Sequence, residues 1–234
     1  MNKEEWLKKG YVTEPVDKTL DLKTEIDKLR KEKNALILGH YYQSGEIQDI
    51  ADFVGDSLAL AQWAAKTDAD IIVMCGVHFM GETAKILCPD KKVLVPDLNA
   101  GCSLADSCPA DEFAKFVQEH PDYTVISYVN TTAAVKAVTD VVVTSTNAKQ
   151  IVESFPADEK IIFGPDRNLG NYINSITGRN MLLWDDCFMC IRNDGTFFKR
   201  NITSLFGFHG HGGLGFVDDV SGEYGQFDGD CLGI

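Results

Sequence analysis

Seven cysteines, at positions 75, 88, 102, 108, 187, 190 and 231, are the first residues from which chemistry can be asked. A thiolate binds soft metals, whereas a neutral thiol behaves as a small apolar side chain. An odd count points to thiols, ligands or buried filler rather than a disulfide framework. Cys75 ends the apolar run Ile71–Cys75 and Cys88 follows a helical stretch, so both fit as filler. Cys102 and Cys108 are six residues apart, which matches neither a zinc knuckle nor a ferredoxin run. A cluster held by Cys102 would need ligands from distant segments. Cys108, directly before Pro109, fits the start of a helix.

Two polar stretches carry a second kind of chemistry. His40-Tyr41-Tyr42-Gln43 gathers four hydrogen-bonding side chains after the apolar run Ala35-Leu36-Ile37-Leu38, and Ser127-Tyr128-Val129-Asn130-Thr131 is its counterpart. His and Tyr donate, accept and transfer protons; the same rings also suit a domain edge, with their hydroxyls in water. Ser57 and Ser145 each precede an apolar helical run. A hydroxyl there either caps the helix or joins free N–H groups in holding phosphate or carboxylate. Gly164-Pro165-Asp166-Arg167 reads as a tight strand-to-helix turn in which Asp166 and Arg167 pair or cap. Gly210-His211-Gly212-Gly213-Leu214-Gly215 matches a dinucleotide fingerprint in letters only, without the flanking strand, helix and acidic residue. His209 and His211 read as solvated residues of a glycine-rich coil.

The elements that must position these residues alternate in βα fashion and repeat. In the first copy residues 35–38 read as a strand, 47–54 and 57–66 as helices, 71–75 as a strand, 80–87 as a helix and 92–96 as a strand leading to Cys102. In the second, residues 124–127, 141–144, 161–163 and 181–184 read as strands, with helices at 133–138, 148–153 and 169–173, leading to Cys187. The distance from first strand to cysteine is 67 residues in one copy and 63 in the other. Alternation of this kind implies parallel sheets with helices on both faces, that is, two pseudo-symmetric three-layer αβα repeats. Ligands gather outside the carboxyl ends of such strands, where Cys102 and Cys187 occupy equivalent places. The expected division is an arm and helix over 1–34, one α/β repeat over 35–122, a second over 123–190, and an irregular tail over 191–234. The tail holds 10 of the 20 glycines and 6 of the 13 phenylalanines and is too short to be a third copy.

A net charge of -13 opposes nonspecific binding to nucleic acid and to anionic membrane. No stretch reaches the roughly 18 apolar residues of a membrane span, and the first residues lack the apolar core of a signal peptide. The expectation is a cytoplasmic protein acting on small molecules.

In order along residues 36–184, the motifs Leu38-Gly39-His40-Tyr41-Tyr42-Gln43, Ile47-Gln48-Asp49-Ile50-Ala51-Asp52-Phe53-Val54-Gly55-Asp56-Ser57, Gly76-Val77-His78-Phe79-Met80, Pro96-Asp97 with Ala100-Gly101-Cys102, Ser127-Tyr128-Val129-Asn130-Thr131, Thr144-Ser145-Thr146-Asn147-Ala148 and Gly164-Pro165-Asp166-Arg167-Asn168-Leu169-Gly170 resemble the quinolinate synthase family. The resemblance implies a transferase of NAD (pyridine nucleotide) biosynthesis. Such enzymes condense iminoaspartate with dihydroxyacetone phosphate to give quinolinate, phosphate and water. It implies three pseudo-symmetric α/β domains around a 4Fe-4S cluster, one cysteine per domain, with the fourth iron open as a Lewis acid. By the same resemblance Cys102 is a metal ligand, and His40, Ser57, Tyr128, Asn130 and Ser145 contact substrate. Tyr42 transfers protons, with Tyr128 as a second catalytic residue. A functional link to L-aspartate oxidase is also implied.

The sequence departs from the family after Trp184. The family pattern there is Trp-x-Gly-x-Cys-x-Val-His, whereas this chain reads Trp184-Asp185-Asp186-Cys187-Phe188-Met189-Cys190. Cys187 stands at the equivalent strand end as the second metal ligand, with Cys190 as its alternative. A frame shift near residue 186 would account for the tail and for the missing third domain. The expected outcome is a family member inactive as this chain; the alternative is a two-domain remnant that binds anionic small molecules without a cluster.

Overall fold

The computed structural model describes residues 15–184. The chain divides into two compact units between Gly101 and Cys102.

The first unit opens with α1 (Leu22–Glu32), capped by Asp21, whose carboxylate accepts the Thr24 N–H at 3.4 Å and its hydroxyl at 2.7 Å. Arg30 and Lys31 in the last turn complement the helix dipole. Then come β1 (Ala35–His40), α2 (Gly45–Ile50), β2 (Phe53–Gly55), α3 (Ser57–Lys66), β3 (Ile71–Cys75), α4 (His78–Leu87) and β4 (Lys92–Leu94). The four strands lie parallel in the order β2-β1-β3-β4. β1 is flanked on both sides, and its last four residues are buried. A central strand covered on both faces is apolar throughout rather than alternating. Leu60, Ala61 and Ala64 of α3, and Phe79, Met80, Gly81 and Ala84 of α4, are the buried helix residues of this unit.

One expected element is corrected. Residues 47–54 do not form one helix: α2 stops where Ala51 turns extended (φ -73°, ψ 141°), and Phe53 and Val54 enter β2. The cause is Asp52. Its N–H donates to the Ile37 carbonyl at 2.8 Å, and its carboxylate accepts the Ile37 N–H at 2.8 Å. The second carboxylate oxygen pairs with the Arg30 guanidinium. Asp52 thus clips the chain to β1 and forces it into the sheet.

The second unit holds α5 (Ser103–Asp106), α6 (Ala110–Gln118), β5 (Thr124–Tyr128), α7 (Ala133–Lys136), β6 (Val141–Val143), α8 (Ala148–Ser154), β7 (Ile161–Gly164), α9 (Arg167–Thr177) and β8 (Leu182–Leu183). Its strands lie parallel in the order β6-β5-β7-β8, the order of the first unit. The register repeats as well. His40 pairs with Gly55 in the first sheet, and Tyr128 with Val143 in the second, 88 residues later in both strands. Asp140 repeats the clip of Asp52: it donates to the Val125 carbonyl at 3.0 Å and accepts the Val125 N–H at 2.8 Å. The α/β class and the pair of parallel-sheet repeats read from the sequence are therefore present.

Cys108, Phe113, Val125, Val135, Ile162 and Trp184 form a core of the second unit. Cys108 does not open a helix as expected; it is buried in this core, and Pro109 takes the N-cap of α6. The Trp184 ring meets Phe113 edge-on at 5.3 Å and Phe116 at 5.4 Å, and its indole N–H donates to the Ser107 carbonyl at 3.4 Å. Fully burying an aromatic of this size contributes on the order of 3 kcal/mol. Gly164 is required beneath it, because a Cβ there would stand 2.8 Å from that of Trp184. The tail over 191–234 lies outside the described residues, together with Cys187, Cys190, His209 and His211. Among the described residues no helix is long and apolar enough to cross a membrane.

Candidate functional site

In the first unit the candidate residues stand at the carboxyl edge of the sheet. His40 is the last residue of β1 and is 5% exposed. Its Nδ1 accepts the Tyr42 N–H at 3.4 Å, and the His40 and Tyr42 rings lie 3.8 Å apart, tilted by 36°. The Tyr41 ring approaches His40 from 4.3 Å. Gln48 secures the turn by donating to the Tyr41 carbonyl at 2.9 Å and the Gln43 carbonyl at 2.7 Å. Tyr42 is 37% exposed, and its ring rests on a buried imidazole. This is a suitable placement for a proton-transfer group.

Ser57 is the first residue of α3, but it is not the cap. Asp56 is, accepting the Ala59 N–H at 2.8 Å. Likewise Asn147, not a hydroxyl residue, precedes α8, and its side-chain oxygen accepts the Thr144 N–H at 2.7 Å. Ser57 and Ser145 are therefore relieved of the capping expected of them. Both follow the edge strand that pairs with the first strand of their sheet.

In the second unit Tyr128 ends β5 and is buried, and Asn130 sits at the turn beyond it. The Asn130 side-chain amide donates to the Cys102 sulfur at 3.7 Å, joining two candidates within this unit. Cys102 precedes α5. Burial pushes its thiol pKa up, and the nearby Asp106 adds to this; the N–H groups of Ala105 and Leu104 and the Asn130 amide act in the opposite sense. An amide N–H donor resting on the sulfur suits a metal-bound thiolate, whose charge it spreads. Among the described residues no group of three or more His, Cys, Asp and Glu side chains could hold a metal ion by itself.

Asp166 is a residue that sequence reasoning treated as structural, and half of it is. One carboxylate oxygen accepts the Leu169 N–H at 2.9 Å and caps α9. The other is buried with no hydrogen-bond partner. Burial raises the Asp166 pKa, against the N–H groups of Leu169 and Asn168.

Comparison with known proteins completes the picture. The profile of the family described as Quinolinate synthetase A protein matches residues 24–203. The chain belongs to this family. The match reaches past Trp184, further than the motifs had carried the resemblance. The quinolinate synthase of Synechocystis sp. is 59% identical over 193 residues, covering 82% of this chain and 60% of the relative. That of Trichormus variabilis is 57% identical over 193 residues, covering 82% of this chain and 59% of the relative. That of Gloeothece citriformis is 58% identical over 185 residues, covering 79% and 56%. The chain therefore spans about 60% of the length of these curated relatives.

Proposed function

We propose that this chain supplies the first two α/β repeats of a quinolinate synthase, and that it works in NAD biosynthesis. The reaction condenses iminoaspartate with dihydroxyacetone phosphate to quinolinate. The observation that carries this reading is 59% identity to a curated quinolinate synthase over 193 residues. The Asn130 amide donating to the Cys102 sulfur fits one thiolate ligand of a 4Fe-4S cluster, and Cys187, outside the described residues, is the second ligand of the proposal. When bound, such a cluster supplies an open iron that polarises oxygen or nitrogen ligands.

The remaining roles fall to this chain's own side chains. Tyr42, stacked on His40 and partly exposed, moves protons at its phenolic oxygen. His40 orients substrate and holds the turn through Nδ1. The Ser57 and Ser145 hydroxyls, free of capping, donate to phosphate or carboxylate oxygens. Tyr128 and Asn130 contact substrate at the edge of the second sheet, with Tyr128 as the second proton-transfer group. The protein acts in the cytoplasm on small molecules, with L-aspartate oxidase as the source of its iminoaspartate.

The test is a chimera joining residues 1–184 to the remaining C-terminal part of the Synechocystis relative. It is loaded anaerobically with iron and sulfide and assayed for quinolinate. Turnover that disappears in Cys102→Ser is expected. A folded, loaded chimera without turnover would refute the reading.

A further inference from the structure

The turn that carries Asn130 is fastened from outside by a residue with no role so far. Val129 donates to the Val143 carbonyl at 2.8 Å, and Thr131 N–H returns to the Val129 carbonyl at 2.8 Å. Asn130 is therefore the apex of a three-residue turn. Thr131 is fully buried, and its hydroxyl donates to the Tyr128 carbonyl at 3.0 Å. From α7 the Lys136 ammonium reaches the Val129 carbonyl at 2.9 Å, the Thr131 hydroxyl oxygen at 3.2 Å and the Thr131 carbonyl. An ammonium has three N–H donors, and here the residues on both sides of Asn130 accept from it. α7 is fixed in turn: Val135, next to Lys136, is fully buried in the core, and Thr132 caps the helix by accepting the Val135 N–H at 3.3 Å.

We propose that Lys136 is a positioning residue, which clamps the turn so that the Asn130 amide rests on the Cys102 sulfur. The inference deepens the functional reading above, on which the importance of Cys102 and Asn130 rests. A side-chain amide offers two N–H donors and one carbonyl oxygen. With one N–H committed to sulfur, the other donor and the oxygen remain for substrate. Asn130 thereby links the thiolate to the substrate it contacts. A half-buried ammonium spread over three neutral oxygens keeps this arrangement rigid, because moving any one of them breaks a charge-assisted bond. The bland alternative is that Lys136 merely ends α7. A helix-ending lysine would point to carbonyls of its own helix, whereas this one points to the turn before it.

The test reads geometry, not turnover. The 234-residue chain is labelled with 15N-asparagine, and the Asn130 side-chain amide signal is identified by its loss in Asn130→Asp. In the unsubstituted chain this pair should lie away from the positions of solvent-exposed asparagines and exchange slowly. Cys102→Ala should move it, and Lys136→Met should collapse it toward the exposed positions with severalfold faster exchange, at unchanged backbone signals elsewhere. Should Lys136→Met not fold, Thr131→Val removes one of the ammonium's acceptors and reads the same signal. An Asn130 signal indifferent to Cys102→Ala overturns the contact, and one indifferent to Lys136→Met or Thr131→Val overturns the clamp. A shifted signal beside an inactive chimera would overturn the functional reading alone. An unshifted signal beside an active one would overturn this proposal alone.

Discussion

Tyr42 and Asp166 show how little of a side chain's role follows from its type. Tyr41 and Tyr42 are adjacent and similarly exposed, yet Tyr42 also sends its backbone N–H to the imidazole it stacks on. Replacing Tyr42 by Phe keeps that stacking and removes the phenolic proton. In the active chimera Tyr42→Phe should lower kcat by about 10²–10⁴-fold, with intact thermal stability; near-normal turnover would remove Tyr42 from the chemistry. Asp166 makes the opposite kind of statement. Its carboxyl is raised by burial, so the folded state binds the proton more tightly than the unfolded state does. Stability therefore falls as pH rises from the ordinary carboxylate value through the raised one, and the loss persists above it. Asn caps a helix as well as Asp and carries no charge into the buried site. Asp166→Asn should thus raise the melting temperature at neutral pH, with the gain shrinking as the solution is acidified through that interval. A gain independent of pH would show that the charge is not what costs stability, and a loss at neutral pH would mean that the orphaned oxygen is needed as a charge.

At the scale of elements, the two aspartate clips decide where strands begin. Asp52 and Asp140 each satisfy both the N–H and the C=O of a residue in the first strand of their sheet. Removing the side chain leaves the N–H of Ile37 or Val125 buried without a partner. Asp52→Ala and Asp140→Ala should each cost about 1–3 kcal/mol, measured by urea unfolding of the affected unit; losses below a few tenths would show that water replaces the clip. These clips also explain what was legible beforehand. The strands buried on both faces, around Ile37, Ile126 and Ile162, announce themselves as apolar runs, as does the half-covered strand around Met74. β2 did not, because Phe53-Val54 is too short to show a strand period and continues the apolar spacing of Ile47 and Ile50. Only a side-chain bond to a residue 15 positions away places it. The site was legible in the same uneven way. His40, Tyr42, Cys102 and Asn130 stand out as reactive types after strands, but the pairing of Asn130 with Cys102 and the reach of Lys136 depend on tertiary packing that no spacing reveals. Cys108 was misplaced for a related reason: Pro109 marks a helix start, but only the surrounding Phe113, Ile162 and Trp184 show that the thiol is core.

For the whole molecule, the relation to its relatives sets the expectation. The 234 residues cover about 60% of the curated quinolinate synthases they match, and the described residues hold one candidate thiolate ligand, Cys102. The 234-residue polypeptide alone, loaded anaerobically with iron and sulfide, should form no quinolinate above background. Turnover like that of a full-length relative would show that two repeats suffice. The two repeats also differ in how they carry their tryptophans. Trp63 of the first unit is 43% exposed and stacks on Phe53 at 4.7 Å, whereas Trp184 of the second is sealed between Phe113 and Phe116. An indole in water emits at longer wavelength than one shut in a dry core. With Trp6 and Trp63 exchanged for Phe, the remaining emission belongs to Trp184, and its red shift during denaturation becomes an optical gauge of the second unit alone, the unit in which Asn130 meets the Cys102 sulfur.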